Sequence, residues 1–128
     1  MARTLIKVVR CARYSEKVRG ALLLRSLGQN TGLQLVGCRW VHTLLMNFSI
    51  DCVGVDSRRR VVSLRQRVCP NRVVIFPRKV SSIVEMAAGE VERLGIKIGS
   101  QISLLTVSRN SIFVSDSKQS KNRRTSAF

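Results

Sequence analysis

The only imidazole in this chain of 128 residues, His42, stands four positions after Cys38 and nine before Asp51. Thiol, imidazole and carboxylate are the side chains of a Cys-His-Asp nucleophile. The spacing argues against it. On one extended strand, residues four apart are separated by about 13 Å at roughly 3.3 Å per residue. A thiolate and its base must approach within about 3 Å, and Arg39-Trp40-Val41 supplies no Gly or Pro to bend the chain between them. Cys52 does no better: if residues 41–47 and 50–56 formed a tight hairpin, His42 would face position 55. No catalytic residue is assigned.

The same segment makes better sense as packing. From Trp40, alternate residues (Trp40, His42, Leu44, Met46, Phe48) fall on one face of a strand, and Val41, Thr43 and Leu45 on the other. A strand apolar on both faces belongs in the middle of a domain. His42 is then held by a carbonyl, a hydroxyl or a carboxylate. Asp51 caps the following turn or partners His42, because a buried carboxylate without a partner is costly. If the region opens instead as a ligand pocket, Trp40, His42, Met46 and Asp51 are its lining. Arg72, with Lys17 or Arg19, would give it a positive rim.

The elements around this segment are short and β-rich. TLIKVV (4–9) reads as a first strand, and RYSEKVRGALLLRSLG (13–28) as an amphipathic helix with Ser15 at its cap. TGLQLVG, WVHTLLMNF, IDCVGVD, RVVSLRQRV, NRVVIF closed by Pro77, and SSIVEMAA follow as β runs, with a hairpin turn at Asp56-Ser57. GEVERLG reads as one or two helical turns ended by Gly95, and IKIGSQISLLTV as a final strand pair or a strand bent at Gly99. Strands at this spacing predict a mainly β (β-rich α+β) domain, an antiparallel sandwich or barrel with one or two short helices. The globular domain is expected over residues 1–114. Residues 115–128, SDSKQSKNRRTSAF, read as a disordered basic tail.

Composition agrees with a globular chain: 45% hydrophobic, 23% charged, and a mean hydropathy of +0.06. No apolar stretch of about 18 residues is present to span a membrane, and Lys7 and Arg10 break the opening run that a signal peptide would need. The four cysteines, at 11, 38, 52 and 69, form no C-x-x-C pair and have one His for company, so no metal site and no cofactor are expected. Reduced thiols in a cytoplasmic protein are the natural reading.

Several strings in the chain belong together. E-K-x-x-G-A-L (Glu16–Leu22) precedes V-H-T-L-L-M-x-F-S-I-D (Val41–Asp51), then Val55-Asp56 and P-x-R at 70–72. V-E-M-A-A-G (Val84–Gly89) and L-G-I-K-I-G (Leu94–Gly99) complete the order. Over about residues 4–107 the chain resembles the bacterial and archaeal "domain of unknown function 192" family. That resemblance implies a compact, mainly β, sandwich-like domain with one or two short helices, and no established activity. Lys17, Ala21, Ser49, Ser57-Arg58 and Ser100 depart from the family's pattern. The departures at 57–58 and 100 remove acidic positions, so a carboxylate site carried over from the family is not expected.

Charge is the outlier. There are 23 Lys and Arg against 7 Asp and Glu, a net charge of +16. Between Ser57 and Val84 lie Arg58, Arg59, Arg60, Arg65, Arg67, Arg72, Arg78 and Lys79, with no acidic residue. Read as a turn plus one strand face, these form a basic stripe suited to a polyanion, a nucleic acid or an anionic surface, through phosphates and without sequence preference. The tail adds Lys118, Lys121, Arg123 and Arg124. The stripe lacks the interleaved exposed aromatics of single-strand binders. The leading expectation is a non-catalytic binding or accessory module. A basic nucleic-acid-associated protein is the first alternative, and an enzyme with a pocket around His42 and Asp51 the second.

Overall fold

The computed structural model describes residues 3–11, 29–44 and 46–108. The helix expected over 13–28 and the tail at 115–128 lie outside the described residues. In chain order the elements are β1 (Thr4–Cys11), β2 (Thr31–Val36), β3 (Trp40–His42), β4 (Ile50–Val55), β5 (Val61–Val68), β6 (Val73–Ile75), β7 (Ser82–Ala87), α1 (Glu90–Arg93) and β8 (Ile102–Thr106). The domain is mainly β, as the patterning predicts, and its strands are rich in the β-branched residues that suit a pleated, packed surface.

Six strands form one sheet in the order β5-β4-β7-β2-β1-β8, and β3 pairs with β6 in a second, two-stranded sheet. The expected antiparallel pairing holds for β4 with β5 and β7, for β2 with β7, and for β3 with β6. It does not hold for β1, which runs parallel to both β2 and β8. The large sheet is therefore mixed. Its outer strands also meet: Arg60 bridges Gln101, and the Ile102 and Val61 amides donate to Arg59 O and Ser100 O at 3.0 and 2.9 Å. These bonds curl the sheet towards a barrel and cover part of both exposed edges.

Both faces of the wall are packed. Ile6, Val8, Val53, Val84, Met86 and Ile102 share one cluster with Val91 of α1. Leu33, Leu35, Ile50, Cys52 and Ile83 point the other way, and Val41, Phe76 and Val80 join them in a second cluster. Every residue of β4 is buried, although it lies second from the edge of the six-stranded sheet. The segment expected to be central, WVHTLLMNF, forms only the three-residue β3 in the small sheet.

Thr43 explains where β3 stops. Fully buried, its hydroxyl donates to Cys69 O at 2.6 Å and accepts the Arg72 amide at 2.9 Å. Its own amide donates to Arg72 O at 2.8 Å, and its carbonyl accepts the Asn71 amide at 2.9 Å. A side chain read as one rung of a strand is instead a knot joining the end of β3 to the β5–β6 connection.

Candidate functional site

The two residues most suggestive of chemistry are placed apart in role. Asp51, on β4, is fully buried. Its Oδ1 accepts the Arg67 amide at 2.8 Å, and its Oδ2 accepts the Gly89 and Val91 amides, each at 3.0 Å. The first bond secures a bulge in β5, where the register shifts between Ile50 and Cys52 and Arg67 takes a φ of 52°. The other two fasten the start of α1, whose N-cap Gly89 has a φ of 94°. Asp51 thus caps an element some forty residues on, not the turn that follows it.

Glu90 anchors the other side of α1. Arg93 grips its carboxylate with Nε on Oε1 at 2.7 Å and Nη2 on Oε2 at 2.8 Å. The Asn30 amide adds a bond to Oε2 at 3.0 Å, and Arg93 Nη2 also donates to Asn30 Oδ1. The Arg93 bond, and then the Asn30 amide, hold the Glu90 carboxyl below its ordinary range against the opposing effect of burial. Glu90 and Asp51 both tie the start of α1 to its surroundings.

His42 and Trp40 lie on the small sheet, and their rings are neighbours, with centroids 5.9 Å apart and planes tilted by 33°. Direct pairing sets Trp40 opposite Ile75 and His42 opposite Val73, and such pairs share a face. Burial identifies that face as the outer one: Trp40 is 49% exposed, Val73 61% and Ile75 73%, while Val41 between them is fully buried. Leu44, just past β3, is 49% exposed as well. The lining expected for a pocket is therefore divided. Trp40 and His42 neighbour one another on the small sheet, Trp40 half-exposed and His42 partly buried, Met46 packs half-buried on the core, and Asp51 serves β5 and α1. Arg72 is exposed just before β6, where its backbone brackets Thr43. Cys38 also packs against the core cluster.

The basic residues do not form one stripe. Arg65 and Arg67 lie in the second half of β5, and Arg67 contacts Glu92 at 3.4 Å in an exposed pair of the kind that contributes little to stability. Arg72 lies at the β5–β6 connection, and the others gather at one end of the wall. Val36 and Val55 both pair with Ser82, and Val55 also pairs with Val61. The chain from 37 to 39, the β4–β5 turn at 56–60 and the β6–β7 connection at 77–81 therefore converge. Gly37 donates to Ser81 O at 3.0 Å, and Ser81 to Val55 O at 2.8 Å, which ties the three together. They carry Arg39, Arg58, Arg59, Arg60, Arg78 and Lys79 against one carboxylate, Asp56. That carboxylate is already engaged, because Oδ1 accepts the Arg58 and Arg60 amides at 2.9 and 3.0 Å.

Gly54 lets the 77–81 connection sit where it does. A Cβ there would come within 2.8 Å of Val80 and 2.9 Å of Phe76, the two buried residues that flank the turn. The sequence pointed to the cations of 58–60 and 78–79 but not to Arg39, nor to their convergence, which depends on the pairing of β2, β4 and β7. Exposure of Trp40 was missed because the apolar alternation around it continues past the true end of β3.

A curled β wall with a small flanking sheet, a basic end and, among the described residues, no assembled catalytic group defines a compact β domain of undetermined activity. The family model for DUF192, described as an uncharacterised ACR, matches residues 2–104, and the chain belongs to that family. Two solved structures are similar. A candidate transcription regulator from Sinorhizobium meliloti 1021 is 19% identical over 73% of this chain and 78% of its own, with a TM-score of 0.63. A protein of unknown function from Novosphingobium aromaticivorans DSM 12444 is 20% identical over 73% of this chain and 70% of its own, with a TM-score of 0.61. At these identities the likeness concerns the fold alone. No curated protein matches the chain. Among the described residues, no helix is long and apolar enough to cross a membrane.

Proposed function

We propose that this chain is a cytoplasmic, non-catalytic binding module that holds an anionic partner at the end of the wall where the three turns meet. The observation that carries the reading is the charge balance there. Six cations share these turns with a single carboxylate, whose Oδ1 accepts two backbone amides. Clustered cations with so little internal compensation raise the local concentration of polyanions and speed their capture. The basic residues of 115–128 would add to the same attraction. A reducing compartment suits the free thiols of Cys38, Cys52 and Cys69.

What counts against the enzyme alternative is Asp51. It is fully buried and both of its oxygens accept backbone amides, so it is not presented to a substrate as a proton acceptor. The test of the binding reading is the affinity of the purified chain for heparin at increasing salt. Submicromolar binding at low salt, falling linearly on log-log axes, is the expected result. Absence of binding at low salt would remove the reading.

A further inference from the structure

We infer that the anionic partner is a single-stranded nucleic acid and that Trp40 is its base-stacking platform, an inference that rests on the binding reading above. Trp40 is half-exposed on the outer face of the small sheet, while the inward side of β3 is filled by the buried Val41. Its neighbours are the His42 ring, at 5.9 Å between centroids, and Ile75 and Val73 across the sheet. An indole held on a rigid ladder and bordered by aliphatic side chains presents a flat π-face, and every base has a matching one.

The basic turns adjoin the ends of β3 and β6 along the chain. Arg39 immediately precedes Trp40, and Arg78 follows Ile75 by three residues, at most about 11 Å of extended chain. The Phe76 amide donates to Arg39 O at 2.6 Å, clamping the two chains together where the apolar face ends and the basic turns begin. A strand whose base lies on Trp40 can therefore run its phosphates towards Arg39, Arg78 and Lys79. Stacking requires an unpaired base, which separates this partner from a duplex. The six-to-one excess of cations at the border separates it from an apolar protein segment, whose docking face is depleted of charge.

Trp40 is the only Trp in the chain, so its fluorescence reports from this face alone. The full-length protein is titrated with a thymidine oligonucleotide, a duplex of equal phosphate count, heparin and poly-glutamate. The oligonucleotide should quench Trp40 to saturation and bind more tightly than the duplex. By anisotropy of labelled oligonucleotide, Trp40→Ala and Trp40→Leu should each lose about tenfold or more in affinity, while heparin affinity moves less than twofold. Trp40→Phe should retain most of the binding. Leu keeps apolar area without the π-face, so wild-type affinity in Trp40→Leu overturns stacking. Equal binding of all polyanions with unchanged fluorescence overturns this inference and leaves the anion-binding reading standing. Quenching by poly-glutamate as strong as by oligonucleotide points to an acidic protein instead and also overturns it. Failure to bind any polyanion removes both.

Discussion

Trp40 stands directly across from Ile75 in the two-stranded sheet, and both side chains face outward while Val41, one residue on, is completely buried. A large apolar pair that a fold leaves open is free to serve recognition, because its removal exposes no core. The core of the domain and its recognition face are thus separated by a single step along β3.

That separation predicts opposite behaviour for adjacent residues. Val41→Ala should cost about 2–3 kcal/mol through the cavity it leaves, and Trp40→Ala less than about 1 kcal/mol. Chemical denaturation of the two variants checks this. A Trp40→Ala variant as unstable as Val41→Ala would place the indole in the core.

Asp51 predicts the largest effect of a near-isosteric change. Asn has one acceptor oxygen and would turn its amide protons on at least one backbone donor among Arg67, Gly89 and Val91. Asp51→Asn should lose about 3 kcal/mol, roughly 12 °C in Tm. Amide exchange should rise first in α1 and at the β5 bulge. A variant as stable as the wild type would contradict the role assigned to this carboxylate.

Thr43 makes a sharper contrast between two small substitutions. Thr43→Val removes the hydroxyl that serves Cys69 O and the Arg72 amide, and should cost about 2 kcal/mol. Thr43→Ser keeps the hydroxyl and should cost about 1 kcal/mol for the missing methyl. Equal losses in calorimetry would mean that the methyl, not the hydrogen bonds, fixes the end of β3.

Glu90 gives a pH dependence with a definite sign. Its carboxyl is held below the ordinary value of 4.5, chiefly by Arg93. The folded state therefore binds this proton less readily than the unfolded chain. The stabilisation is fully present above about pH 4.5 and is lost as pH falls below it. The stability gap between wild type and Glu90→Gln should be constant from pH 6 to 8, and close on acidification. A gap independent of pH down to 3 would show that the ion pair is not its source.

Much of the architecture was legible in the residues, and the failures share a cause. β-branched runs bounded by Gly, Pro and Asp located β1, β2, β4, β5, β6 and β7, and Gly95 marked the end of α1. The need of a buried Asp51 for partners was also legible. Which partners was not, because they lie sixteen to forty residues away and are backbone amides, which carry no sequence signature. The parallel pairing of β1 was hidden for a similar reason, since it joins Thr4 to Ile102 across nearly the whole described chain. At β3 a strict alternation of apolar residues outran the strand, and only the bonds of Thr43 ended it. The basic stripe was legible as composition, but its division between two ends of the wall follows from register.

The most direct measurement is the salt dependence of polyanion binding in two double charge reversals of matched stability. Arg78→Glu with Lys79→Glu lies at the convergent turns, and Arg65→Glu with Arg67→Glu lies on the far half of β5. The first pair should weaken binding strongly and lower the log-log slope by about 2, roughly one unit for each phosphate no longer neutralised. The second pair should leave the slope nearly unchanged. Equal effects of both pairs would mean that charge acts diffusely and that the convergent end is not a site.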